Sequence, residues 1–163
     1  MSVSRIKIKL EGGIMPKKAT PFDAAYDVYV PEDTDLKIGR QRIDLKFSME
    51  LPHGMAALVR ARSGYSLEGV DATVVDLRGN EKDVRIDADV MTGLIDEKYR
   101  GTAGVLLNLH SCEGGYYKRA YLKKGTRIAQ MQIVNVPDTE MVEADELDMT
   151  DDRGGGFGHT NKQ

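Results

Sequence analysis

The stretch "IDLKFSM", residues 43–49, sets Ile43, Leu45, Phe47 and Met49 at every second position, with Asp44, Lys46 and Ser48 between them. A period of two is the spacing of side chains along one face of a pleated strand, so the stretch reads as a half-buried β-strand. The same alternation appears in Ile6, Ile8 and Leu10 against Lys7 and Lys9. It returns in Val84, Ile86, Ala88 and Val90 against Arg85, Asp87 and Asp89. "AGVLLNLH" (103–110) and "RIAQMQIVNV" (127–136) are short apolar runs suited to interior strands. Turn signals come between them at close intervals: "EGG", "PEDTD", "PHG", "RGN", "CEGG", "KKG" and "PDT". Helical spacing is nearly absent, apart from one short turn after Ser63 through "SLEG". Many short strands joined by tight turns predict an all-β sandwich or barrel.

Composition sets the outer limits. At 18.0 kDa, with 40% hydrophobic and 30% charged residues, the chain has the size and balance of one globular domain. A net charge of −3 and the lack of a Lys/Arg cluster argue against stable nucleic-acid binding. Cys112 is the sole cysteine, so no intrachain disulfide forms, and no Cys/His pair has zinc-site spacing. "MSVSRIKIKLEGG" has no signal-peptide core, and no apolar run reaches membrane-spanning length. The expectation is a cytoplasmic protein that binds neither membrane nor nucleic acid. Toward the end, "EMVEADELDMTDD" (140–152) holds seven acids and no base, and "RGGGFGHT" (153–160) follows it. The expected division is a β-barrel over 1–139, then an acidic linker and a flexible glycine-rich arm over 140–163. Glycine loses the most backbone freedom on ordering, so Phe157 among four glycines suits an arm that orders over a ligand.

The residues able to do chemistry are dispersed. "GLIDEKYRG" (93–101) reads as a glycine-bounded hairpin with an acid, Asp96, and an aromatic, Tyr99. "ARSGYS" (61–66) offers a guanidinium, a hydroxyl and a glycine that lets backbone N–H groups approach an anion. Arg127 and Gln130, three apart on a strand, are expected to point to opposite faces, which speaks against a shared site there. His53, His110 and His159 are scattered, and the glycine-rich tail lacks the Lys-Ser/Thr of a Walker loop.

Five segments in order, "AAYD" (24–27), "RSG" (62–64), "GLIDEKYRG" (93–101), "GTRIAQ" (125–130) and "RGGGFGHT" (153–160), make the chain resemble the trimeric dUTPase family over nearly its full length. The resemblance implies a distorted jelly-roll or β-barrel (β-clip) and hydrolysis of dUTP to dUMP and pyrophosphate. It makes Asp96 the general base for the attacking water. Tyr99 packs under the deoxyribose, and the segment from Gly93 through Ile95 reads the uracil edge with backbone groups. Arg62, Ser63 and Gly64 meet charge at the α-phosphoryl, and Gln130 adds an amide donor. Arg153 clamps the terminal phosphate, Phe157 stacks on uracil, and Gly158, His159 and Thr160 add backbone N–H groups and a hydroxyl. Asp27 supports the site from behind, with Arg127 as its partner. Mg2+ is implied, carried by substrate phosphates and water without a direct protein ligand, as is a homotrimer with shared sites. Relatives on the same fold that deaminate dCTP carry a glutamate shortly after the third motif, whereas "GTAGVLLNLH" (101–110) contains no acid. A nucleotide-responsive regulator is the other alternative. Between Ser63 and Gly93 the chain is longer than the family pattern, and "DLRGNEKDVRID" (76–87) reads as an extended hairpin. The 70–92 insertion is thus a candidate surface for assembly or for a protein partner.

Overall fold

The computed structural model describes residues 4–111 and 117–150. In chain order the elements are β1 (Lys7–Leu10), β2 (Tyr26–Tyr29), β3 (Thr34–Asp35), β4 (Gly39–Asp44), β5 (Phe47–Glu50) and β6 (Met55–Arg60). They continue with α1 (Ser63–Glu68), β7 (Val70–Asp76), β8 (Glu81–Met91), β9 (Gly93–Ile95), β10 (Gly104–Ser111), β11 (Tyr117–Leu122) and β12 (Arg127–Asn135). All pairings are antiparallel, in three sheets ordered β1-β5, β3-β11-β7-β8-β10-β4 and β2-β12-β6-β9. Together they form the expected all-β, nearly closed barrel. The short helical turn after Ser63 is α1, and the long hairpin is β7–β8, closed by residues 77–80.

The alternating face predicted for 43–49 is buried as expected: Ile43, Leu45, Phe47 and Met49 are at most 4% exposed. The continuous strand is not formed. β4 ends at Asp44 in the six-stranded sheet and β5 starts at Phe47 against β1, so the chain turns a corner between two sheets. Lys46 makes the corner with φ +52, the one described non-glycine residue at positive φ, and its N–H donates to Asp44 Oδ1 at 3.1 Å. Strands that switch sheets bend in this way, and an aspartate that bonds the backbone two residues on favours the bend. Period two therefore persists across a break in pairing. In β1, Leu10 is exposed at the barrel's edge although it follows the apolar alternation.

α1 closes on β8 through one glycine. Gly69 has φ +83, and a Cβ there would stand 2.3 Å from the Ile86 carbonyl oxygen. Only glycine satisfies both the left-handed backbone and the close approach. From Pro137 to Thr150 the chain forms no strand or helix. Among the described residues no helix is long and apolar enough to cross a membrane. Gly69→Ala should lower the unfolding free energy by about 1–3 kcal/mol, measured by urea denaturation, because it adds backbone strain to a clash. An unchanged midpoint would contradict the packing of α1 on β8.

Candidate nucleotide site

β9 is three residues long and pairs with β6 through Ile95–Ala57, Leu94–Leu58 and Gly93–Val59. This corrects the predicted hairpin over 93–101. Its first arm bonds to β6, distant in sequence, and beyond Ile95 the chain makes a turn in which the Tyr99 N–H donates to the Asp96 carbonyl at 3.1 Å. Tyr99 then folds back, its hydroxyl 3.3 Å from the Thr102 carbonyl. A Cβ on Gly101 would stand 2.4 Å from that hydroxyl oxygen, so the glycine after Arg100 makes room for the ring.

The turn borders a cleft of about 250 Å³ lined by Gly93, Leu94, Ile95, Asp96 and Tyr99, with Val59 at its back and Arg42, Thr102, Ala103, Gly104 and Leu106 on the far side. Four of the residues expected to hold substrate, Gly93, Ile95, Asp96 and Tyr99, thus share one cavity. Asp96 and Tyr99 are exposed at its mouth, and Ile95 is buried in its wall. Arg42, which sequence reading passed over, crosses from β4 to donate to the Thr102 carbonyl at 2.5 Å and to its hydroxyl oxygen at 3.1 Å. In sequence it was one more outward charge on an alternating strand, and nothing marked it.

The turn is fastened from outside the cleft by Glu97, whose carboxylate accepts the Gly54 N–H at 2.9 Å and lies 3.1 Å from His53 Nδ1. Sequence reading missed this residue too, because Gly54 lies 43 positions away.

A second cluster surrounds Asp27 on β2, which is 8% exposed. Its Oδ2 lies 3.5 Å from Arg127 Nη1, the expected pairing. Its Oδ1 lies 3.6 Å from Arg62 Nε, a second partner that spacing did not reveal. That oxygen and that nitrogen are both buried without a hydrogen bond, each stopping just short of the other. Gln130 stands opposite Asp27 in the register of β12 and β2. Arg127 and Gln130 therefore lie on the same face of β12, contrary to the alternation argument. The register shifts between Arg127 and Ala129, and this irregularity inserts an extra residue that returns Arg127 to the Asp27 side while Ile128 stays fully buried. Arg62 precedes α1, and Ser63 and Gly64 are exposed at its start. Among the described residues no heavy atom lies within 4 Å of where a Gly64 Cβ would stand, so none of them requires that glycine.

Arg62, Ser63, Gly64, Arg127 and Gln130 do not line the Asp96–Tyr99 cleft. Arg153, Phe157, Gly158, His159 and Thr160 lie outside the described residues. Among the described residues no group of three or more His, Cys, Asp or Glu side chains could hold a metal ion.

Comparison with known proteins follows the same lines. The chain covers 96% of itself and 98% of a mutant dUTPase of Staphylococcus bacteriophage 80alpha with dUpNHpp, at a TM-score of 0.75 and 23% identity. A mutant dUTPase of S. aureus phage phi11, whose structure concerns coordination of a structural Mg(II) ion, gives 0.69 at 19% identity over 88% of this chain and 98% of that one. These likenesses define the class as a barrel of the dUTPase fold. The dUTPase family model matches residues 11–86 and 85–161. Proteins named deoxyuridine 5'-triphosphate nucleotidohydrolase are 35% identical in Hydrogenobaculum sp. (95% of each chain) and 31% in Arabidopsis thaliana (96% of this chain, 81% of the relative). In Variola virus the identity is 33%, over 89% of this chain and 84% of the relative. The chain belongs to the dUTPase family.

The Gly54 N–H bond, assisted by His53 and Lys98, holds the Glu97 carboxyl below its usual 4.5. A depressed carboxyl keeps its tie at neutral pH and loses it only as pH falls through the depressed value. The Gly54 amide signal in an NMR titration should therefore move with a midpoint below 4.5. A midpoint at or above that value would contradict the contact.

Proposed function

We propose that the chain hydrolyses dUTP to dUMP and pyrophosphate, with Asp96 as general base. The observation that carries this reading is the convergence of Gly93, Ile95, Asp96 and Tyr99 on one cleft in a chain of the dUTPase family. At about 250 Å³ the cleft lies below the roughly 300–1,000 Å³ of ordinary ligand sites, a size suited to a pyrimidine nucleoside with its phosphates outside. Leu94, Ile95 and the Tyr99 ring give the walls an apolar face for the base and the deoxyribose, and Tyr99 leaves no space for a 2′-hydroxyl. In this reading Asp96, on the cleft and exposed, takes a proton from the attacking water, which needs only hydrogen-bond reach.

Phosphates leaving the cleft need cations, and the chain offers Arg62, Ser63 and the open backbone at Gly64, with Gln130 beside them. Fixed donors of this kind act most strongly where charge develops at the α-phosphoryl group. Asp27 is already committed to two arginines, and no described carboxylate group is arranged to cage a cation. Mg2+ would be carried by the phosphate oxygens and water and would supply neutralisation of phosphate charge, beside the donors of Arg62, Ser63 and Gln130. The dUpNHpp bound by the phage relative is a deoxyuridine nucleotide of the same kind. Because Arg62, Ser63, Gly64 and Gln130 do not line the Asp96–Tyr99 cleft, we infer a homotrimer in which one copy supplies the cleft and a neighbour the phosphate donors. In this reading the domain division is a barrel over 1–139 followed by an acidic linker and arm over 140–163. The arm at 153–163, with Arg153, Phe157, Gly158, His159 and Thr160, closes over the nucleotide and excludes water.

Chromatographic assay of dUTP, UTP, dTTP and dCTP with Mg2+ should show turnover of dUTP alone. Asp96→Asn should bind dUTP and lose roughly 10²–10⁴-fold in kcat, the usual worth of a general base. Arg62→Ala should be impaired as well. Subunits of the two variants, unfolded together and refolded, should regain activity in about a quarter of the sites, the product of two one-in-two chances in a mixed oligomer. No regain in mixtures, or a light-scattering mass of one 18.0 kDa chain under assay conditions, would remove the shared site.

A further inference from the structure

Tyr65 lies one turn into α1 and is 3% exposed, the largest side chain the helix buries. Its ring has a guanidinium over it twice: Arg62 Cζ lies 5.2 Å from the ring centroid and Arg85 Cζ 5.4 Å. Its hydroxyl donates to Asp71 Oδ2 at 3.0 Å. Asp71 is bound in turn by Arg85, with Nε 2.8 Å from Oδ1, and Arg85 Nη1 donates to the Gly69 carbonyl at 3.0 Å. Asp71 and Arg85 face each other across β7 and β8 at the root of the long hairpin. Arg62 is thus held between the Asp27 carboxylate and the face of a buried tyrosine, and that tyrosine is tied to the root of the hairpin that makes the chain longer than the family pattern read in the sequence.

We propose that Tyr65 is a positioning residue for Arg62, and that Asp71 and Arg85 at the root of the β7–β8 hairpin hold its ring in place. A guanidinium short of a full hydrogen bond to its carboxylate has little else to fix its direction, and Arg62 Nε is without a hydrogen bond here. A ring face attracts a cation without consuming any of its N–H donors. The buried Nε–H stays turned to Asp27 Oδ1, and the terminal NH2 groups are the donors that a phosphate meets. The hydroxyl serves the same end from the far side. Burial and the neighbouring Asp71 push the Tyr65 phenol up to about 12, so it stays a neutral donor to Asp71 throughout the physiological range. The hairpin then contributes to the phosphate side of the site without touching substrate.

The role at the phosphates rests on the proposed dUTP hydrolysis, and the test separates the two. Exchange of the Arg62 Nε–H with water, followed by NMR, reports the guanidinium's placement without any turnover. It should be slowed at least about tenfold relative to exposed arginines, as expected for a buried N–H. Tyr65→Leu should abolish that protection and lower kcat for dUTP roughly 3- to 30-fold with KM nearly unchanged, the range for losing a partly desolvated cation–π contact. Tyr65→Phe keeps the ring and should restore most of both. A folded Tyr65→Leu with wild-type protection and kcat overturns the proposal, as does a Tyr65→Phe that is no better than the leucine variant. Should Tyr65→Leu fail to fold, Arg85→Gln on the exposed face of β8 decides: faster Arg62 exchange with lower kcat supports the link, and no change in either removes it. Wild-type protein inert toward dUTP would remove the functional reading and leave the exchange comparison standing.

Discussion

Strand β6 is bonded along both edges, to β12 on one side and β9 on the other, and the register of those two ladders positions everything of chemical interest. Ala57 and Val59 are buried on its inner face, so a slip of one residue would turn them to solvent and is strongly opposed. With register fixed, β9 must end at Ile95 and leave Asp96 on the cleft. β12 must set Gln130 opposite Asp27, and the chain leaving β6 must bring Arg62 to the same carboxylate two residues later. Packing of small and branched side chains inside the barrel thereby becomes placement of charge outside it. The site needs no long loop to reach its geometry.

The sequence disclosed those parts of this arrangement that depend on local periodicity. The inward face of 43–49, the long hairpin and the interior strands at 103–110 and 127–136 follow from which side chains must avoid water. What it concealed are the places where pairing departs from periodicity. Lys46 bends the chain between sheets while the apolar alternation continues, because burial and strand pairing are different constraints. The irregularity after Arg127 reverses a face assignment that holds for any regular strand. Both devices are one residue long, below the resolution of a pattern that repeats every two.

The site was legible in a different way. Asp27, Asp96, Tyr99 and Arg62 were marked by the order of motifs and not by local physics, since an aspartate in a turn or an arginine on a strand is ordinary. Arg42, Glu97 and Tyr65 were not legible. Each acts through a partner distant in sequence or on another element: Thr102 across 60 residues, Gly54 across 43, and Asp71 and Arg85 on the hairpin. Side chains of this kind support the site without belonging to any motif, so only the folded chain displays them.

The pairing of one carboxylate with two guanidiniums leaves the Asp27 cluster a net single positive charge, the excess that the proposed phosphate role calls on. A bidentate ion pair would satisfy the arginine and consume the donors a phosphate needs. Asp27 Oδ2 accepts a long hydrogen bond from Arg127 at 3.5 Å, while Oδ1 attracts Arg62 Nε at 3.6 Å without accepting one. The arrangement costs stability, because a buried acceptor and donor stay unpaired, at about 1–3 kcal/mol each. Such a cost persists where it keeps donors ready for charge that arrives later, and Tyr65 reduces it by holding Arg62 through a ring face. Burial in the barrel supplies the stability that offsets this cost, and readiness for a polyanion is what the proposed function would gain from it.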